Sequence, residues 1–267
     1  MDTEAVIEYI VEWLKKYSEK TKTMGFAVGV SGGIDSAVTS TLCAKAGLPV
    51  IVLNMPIHQE EGQYTRAVEQ TNWLMSRFEN VESMTLDLTN PFEAIKNIEF
   101  KQGTELKDLS YVNMASRLRM LTLYMVSNSN NLLVAGTGNK VEDYGIGFFT
   151  KYGDGGVDIS PIADLLKSQV YELAKFLDIP ISIQEAHPTD GLWEDNRTDE
   201  QQIGATYNEL EWALGTYDRG SFGELNSRQQ EVMKIYSKRH RDSRHKLELP
   251  PVCMIPDSLL VNRILIE

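Results

Sequence analysis

Ser31-Gly32-Gly33-Ile34-Asp35-Ser36 joins two hydroxyls, two glycines and an acid within six residues. The apolar run Phe26-Ala27-Val28-Gly29-Val30 precedes it, and a helix-like segment, Ala37 to Ala46, follows. A strand that ends in a hydroxyl and two glycines and then enters a helix is a phosphate cradle. Glycines let backbone N–H groups converge on an anion. The helix start adds unpaired N–H donors and the positive end of the dipole. Asp35 beside a phosphate requires a cation between them, which for phosphate chemistry implies Mg²⁺. The string lacks the lysine of the Walker loop and the spacing of G-x-G-x-x-G. Ordinary strand-to-helix turns also use Ser, Gly and Asp, but here cradle, cation ligand and helix entry come together.

These residues need a scaffold, and the flanking pattern supplies one. Apolar runs predict strands at 25–30, 49–55, 81–88 and 131–136. Helical spacing or helix punctuation predicts helices over 3–19, 36–46, 60–78, from Pro91, and over 105–127, 168–178, 199–214 and 227–239. Alternating strands and helices predict an α/β fold, a doubly wound, mostly parallel sheet with helices on both faces. Ligands of such sheets sit at the carboxyl ends of strands. Ser31-Gly32-Gly33 and Gly136-Thr137-Gly138 both fall there. Segment 145–158 is too glycine-rich for regular structure and reads as a functional loop. Segment 186–200, with an exposed Trp193, reads as a mobile lid or a long surface loop.

The 267 residues suit a single domain over 1–267. Net charge is −12, against a general nucleic-acid surface, and no apolar run reaches membrane-spanning length. Asp2, Glu4 and Glu8 are wrong for a signal peptide, and Cys43 and Cys253 form no ligand pair, so a reducing cytoplasm is expected. A polyanionic nucleotide entering so acidic a chain must meet a few well-placed cations.

The S-G-G-x-D-S string resembles the pyrophosphate loop of the ATP pyrophosphatases, which include NAD, GMP and asparagine synthetases and tRNA thiolation enzymes. Two further strings narrow this. Gly136-Thr137-Gly138-Asn139-Lys140-Val141-Glu142 and Gly147-Phe148-Phe149-Thr150-Lys151-Tyr152-Gly153-Asp154-Gly155-Gly156-Val157-Asp158 closely resemble the NAD synthetases. Asn113, Arg117 and Arg119, then Pro188-Thr189, His245-Lys246 and Pro250-Pro251, follow in matching order. The loop 54–62 matches only in its proline and its position, and the tail 246–249 lacks a basic residue common in relatives.

The resemblance implies an adenine nucleotide α-hydrolase-like fold and ATP-dependent amidation of deamido-NAD⁺ to NAD⁺, through an adenylated intermediate, with release of AMP and pyrophosphate. Ammonia would be the nitrogen source, since the glutamine-using members carry an extra amidase domain. Gly29, Val30, Ser31, Gly32, Gly33, Ile34, Asp35 and Ser36, with Thr137, Lys167 and Thr189, would bind ATP. Asp35 and Glu142 would hold Mg²⁺. Arg117, Lys151, Asp158, His245, Lys246 and Asn113 would bind deamido-NAD⁺. Asn113 and Arg117 are four apart and share a helix face, whereas Arg119 points elsewhere. Asp154, Asp35 and Lys167 would be catalytic, Asp154 receiving a proton from ammonium. Phe148-Phe149 pack a pyridine ring or fill the core, and aromatic usage favours the core. Relatives are homodimers. A GMP synthetase-like or tRNA-thiolation-like ligase, or a non-catalytic nucleotide-binding module, stays open at this point.

Overall fold

The computed structural model describes residues 1–98, 107–189, 198–220 and 223–260. Helix α1, Thr3–Thr21, starts where the Asp2 carboxylate accepts from Ala5 N, and buries Ile7, Ile10 and Leu14 at helical spacing. Strand β1 is Gly25–Gly29, α2 Ile34–Lys45, β2 Val50–Asn54, α3 Glu61–Arg77 and β3 Val81–Thr85. Then come α4 Thr89–Lys96, α5 Lys107–Asn130 and β4 Leu132–Val134. A π-helical turn, Val141–Ile146, precedes α6 Lys167–Phe176, α7 Ile181–Gln184, α8 Asp199–Ile203, α9 Tyr207–Arg219 and α10 Ser227–Leu247.

The four strands form one parallel sheet in the order β3-β2-β1-β4. Side chains alternate across it, as the two-residue period of a strand requires. Phe26, Val28 and Val30 join Val50, Val52 and the apolar faces of α1, α2 and α6 on one side. Ala27 and Leu53 join α4 and α5 on the other. Both faces are covered, so the fold is the doubly wound α/β sheet expected. The chain leaves β1 toward β2 on one side and returns to β4 on the other. The carboxyl ends of β1 and β4 therefore flank the point where strand order reverses, where such sheets open a crevice.

Several elements differ from the sequence expectation. β3 stops at Thr85 and buries only Val81, as an edge strand can. Segment 145–158 is not wholly irregular, because the π-helical turn takes in Gly145 and Ile146. The expected helix 199–214 breaks at Gly204, held at φ +87° by the end of α8, and restarts when Thr206 caps α9. The expected loop 186–200 is already helical at Asp199, and 190–197, with Trp193, lie outside the described residues. Helix α10 runs past 239 to Leu247, which puts His245 and Lys246 on its last turn. A second, smaller core of Val141, Ile146, Leu210, Val232 and Tyr236 ties the π-helical turn to α9 and α10. Cys43 is buried, and burial pushes its thiol well up, so it is unreactive; Cys253 is exposed.

Candidate active site

Helix α2 begins without a side-chain cap. Its N-cap is Gly33; α4, α6 and α7 likewise lack a side-chain cap, whereas Asp2, Glu60, Thr198, Thr206 and Asn226 cap α1, α3, α8, α9 and α10. The first N–H groups of α2 are thereby left for a ligand. Ser36 Oγ folds the loop by donating to Gly33 O at 2.9 Å and accepting from Ser31 N at 3.2 Å. Gly32 has φ +84°, and a Cβ there would stand 2.4 Å from Gln63 O on α3. Gly32→Ala is therefore expected to lose about 1–3 kcal/mol from backbone strain alone, with further loss from the collision. Urea unfolding measures this, and a midpoint equal to wild type would refute the close approach.

The cradle opens into a cavity of about 670 Å³, ample for a nucleotide. Two acids meet one lysine at its floor. Lys167 Nζ, on the first residue of α6, donates to Asp35 Oδ2 at 2.5 Å and to Glu142 Oε1 at 2.9 Å. Only 4% of the Lys167 side chain is exposed, against 16% of Asp35 and 15% of Glu142. Asn139 joins the two strand ends: Nδ2 donates to Asp35 Oδ1, and Oδ1 accepts from Val141 N and Glu142 N. Tyr207 OH donates to Glu142 Oε1 at 2.5 Å, and its ring faces the lysine ammonium, 4.8 Å from the centroid.

Electrostatics divide the two acids. Burial pushes the Asp35 carboxyl above its ordinary value, with Lys167 opposing and Glu142 reinforcing the rise. Burial also acts on Glu142, but Lys167 and the hydrogen bond from Tyr207 outweigh it and hold Glu142 below its ordinary value. Lys167 is raised: burial lowers it, and its two carboxylate partners more than reverse that.

Asp154 stands on the same cavity wall. Its Oδ1 accepts from Ser116 Oγ at 2.6 Å and from Thr150 N at 3.0 Å, and its own N–H donates back to Ser116 Oγ. Its neighbour Gly153 is packed so closely on α5 that a Cβ would stand 2.3 Å from Ser116 Oγ. Although the residue is exposed on the cavity wall, crowding by the surrounding protein pushes its carboxyl up, and the Glu142 charge adds to this. Lys246 Nζ reaches in from α10, donating to Gly147 O and Phe149 O 5.3 Å from the Phe149 ring centroid.

The expected ATP residues, 29–36 with Thr137, Lys167 and Thr189, all line this cavity. The expected dinucleotide residues divide. Asn113 and Lys246 line it, whereas Arg117, Lys151, Asp158 and His245 are not on its wall. Arg117 is exposed and reaches Lys151 O at 3.4 Å. Lys151 Nζ caps the end of α10 through His245 O and Glu248 O. Asp158 accepts from Val134 N and Tyr124 OH, and His245 Nδ1 bonds Asp242 O.

Arg119, which helix spacing placed elsewhere, faces the cavity, where it donates to Met55 O and Gln59 Oε1 and burial lowers it to about 10. The lining face of α5 runs through Asn113, Ser116 and Met120, and Arg117 falls beyond its edge. Phe148 and Phe149 both reach the cavity, and Phe148 also packs on the smaller core.

Residues 6–250 match the family model described as NAD synthase. An NH3-dependent NAD+ synthetase of Syntrophomonas wolfei is 38% identical over 266 residues, spanning 97% of this chain and 99% of that protein. One from Archaeoglobus fulgidus is 34% identical over 97% of this chain and 100% of its own length. Among solved structures, an NMN synthetase from Francisella tularensis superposes with a TM-score of 0.82 at 33% identity, covering 94% of this chain and 98% of that one. An NH3-dependent NAD synthetase from Campylobacter jejuni gives 0.76 at 26%, covering 95% and 100%. A family match over residues 6–250, with relatives of this identity along nearly their whole length, means that the chain belongs to the NAD synthase family.

Proposed function

We propose that this chain converts the nicotinate carboxylate of deamido-NAD⁺ to the amide of NAD⁺, using ATP and ammonia and releasing AMP and pyrophosphate. The observation that carries it is one cavity with two tasks divided across it: an uncapped cradle with paired acids on a lysine, and a separate carboxylate, Asp154. A carboxylate is a poor electrophile with a poor leaving group. Its oxygen attacks the α-phosphorus, pyrophosphate leaves, and ammonia then displaces AMP from the acyl carbon. The first step needs positioning and charge neutralisation more than covalent help.

The N–H groups at the start of α2, with Ser31 and Ser36, would cradle the phosphates, and Thr137 and Thr189 would contact ATP. Lys167 holds both acids in place and adds positive charge beside the phosphates. Among the described residues no group of three or more His, Cys, Asp or Glu forms a metal cluster. Two carboxylates beside a phosphate cradle are nonetheless the donor set that suits Mg²⁺, which takes its other ligands from phosphate and water. Asp35 and Glu142 would hold it, and when bound it supplies charge neutralisation on the phosphate oxygens. Asn113 and Lys246 would contact the acid substrate from within the cavity, with Arg117, Lys151, Asp158 and His245 outside it. Asp154 would orient ammonium and take its proton.

The test is direct: supply Mg²⁺-ATP, deamido-NAD⁺ and an ammonium salt, and measure NAD⁺, AMP and pyrophosphate. ADP as product would sink the reading. One other acceptor has support here. The Francisella tularensis relative is an NMN synthetase, and four of the six residues expected to hold a dinucleotide lie off the cavity wall. Nicotinate mononucleotide belongs in the same assay, and faster turnover with it would reassign the acceptor. The GMP synthetase-like, tRNA-thiolation-like and non-catalytic readings are not favoured by a family match over residues 6–250.

We read the whole chain, 1–267, as one catalytic domain working in the cytoplasm. No helix among the described residues is long and apolar enough to cross a membrane. The exposed Leu121 and Met125 on α5 support a homodimer.

A further inference from the structure

The cradle presents a charge problem. Asp35 and Glu142 carry two negative charges against the one positive charge of Lys167, yet a triphosphate must settle beside them. Other cations line the cavity, and most are committed. Arg119 donates to Met55 O and Gln59 Oε1, Arg239 to Gln202 O, and Lys246 to Gly147 O and Phe149 O. Arg66 is different. Among the described residues it has neither a hydrogen bond nor an ion pair, and its Nε is buried without a partner. A desolvated guanidinium donor is costly to leave unmet. A partner that arrives with the ligand resolves that cost.

The fold explains why Arg66 stands there. Gly32 can approach α3 only because it lacks a side chain, and a Cβ on it would lie 3.2 Å from Arg66 Cβ. The root of Arg66 is therefore fixed against the turn of the cradle. Its Nη1 lies along the first turn of α3, 3.5 Å from where a Gly62 Cβ would be. Asp35, Glu142 and Lys167 belong to α2, the π-helical turn and α6, so α3 brings its cation from a separate element. A planar fork of donors matches phosphate oxygens two at a time.

We propose that Arg66 is a further substrate-binding residue, its guanidinium taking the terminal diphosphate of ATP and holding it as the departing pyrophosphate. The inference rests on the ATP-dependent reading above and names the group that grips the leaving end. The α-phosphate, which the carboxylate must attack, is left to the cradle.

Calorimetric titration of the free protein with inorganic pyrophosphate, ATP and AMP, each with excess Mg²⁺, tests it. Arg66→Gln is expected to weaken pyrophosphate and ATP by about ten- to a hundredfold and to leave AMP unchanged. Equal pyrophosphate affinity in variant and wild type overturns the proposal. So does a parallel loss of AMP, and so does a wild type that binds no pyrophosphate. Should Arg66→Gln melt early, Arg66→Lys keeps stem and charge without the fork; several-fold weaker pyrophosphate binding supports the assignment and equality overturns it. Product analysis of the wild type tests the ATP reading separately, so the two can fail independently.

Discussion

Lys167→Met is expected to abolish AMP formation and to destabilise the free protein. Methionine keeps most of the length and apolar stem of lysine, so packing against Tyr207 survives and the charge is what is lost. The ammonium lies between Asp35 and Glu142 with almost none of its side chain exposed. Removing it leaves two largely buried carboxylates without a counter-charge. Breaking a buried pair of this kind costs about 3–5 kcal/mol; the partial exposure of both acids makes this an upper figure. The sign with pH follows from the lysine. Its folded value lies above the ordinary one, so its stabilisation is present at neutral pH and fades on the alkaline side only in strong alkali; in acid it is lost as Asp35 and then Glu142 take up protons. Thermal unfolding at pH 7 should show the deficit, and single-turnover AMP release should be lost at saturating ATP. Lys167→Arg restores charge but not shape, so stability should recover further than rate. Full turnover in Lys167→Met would remove the lysine from the phosphate chemistry.

What could be read in the chain beforehand was local. The cradle is six consecutive residues, and its parts act through backbone N–H groups whose positions a strand-turn-helix unit largely sets. Buried parallel strands are nearly continuous apolar runs, so β1, β2 and β4 were found close to their observed places. The edge strand β3 is exposed beyond Val81, which left its carboxyl boundary weakly marked. The contacts that tune the site are long-range and leave no such trace. Tyr207 lies 65 positions beyond Glu142 in sequence, on a helix that starts only after the break at Gly204. Arg117 and Arg119 have the same chemistry two residues apart. Which one faces inward depends on how α5 is rotated against the sheet, and a four-residue spacing to Asn113 does not fix that rotation. Arg66 sits in a helix whose sequence gives it no distinction from a surface arginine. Its position acquires meaning only through the missing side chain of Gly32. The local signals thus locate the chemistry, while packing between distant helices decides which charges surround it.

Asp154→Asn is expected to slow amide formation by about 10²–10⁴-fold while sparing the adenylation that precedes it. Ammonium carries no free electron pair, so attack on the acyl carbon requires loss of a proton near the reacting centre. Asp154 faces the cavity, is fixed by Ser116 Oγ and Thr150 N, and is raised above the ordinary aspartate value by its crowded surroundings. A base displaced upward toward neutrality is better matched to that transfer. Asparagine keeps the acceptor oxygen for both donors, so the loop should retain its shape. Because the folded value is raised, the carboxyl favours folding below its ordinary value, and that contribution is lost as pH rises through the raised one. At neutral pH the asparagine variant should therefore unfold no earlier than wild type. Activity has the opposite sense: wild-type amidation should fall as pH drops through the raised value. In the variant that limb should vanish, leaving a residual rate that follows the fraction of free ammonia. Isotope exchange of pyrophosphate into ATP, with the acid substrate present and ammonia absent, isolates the first step. Exchange near the wild-type rate with little amidation assigns Asp154 to the nitrogen step. Loss of exchange as well would move it to adenylation, and unchanged turnover at saturating ammonium would exclude it from the chemistry.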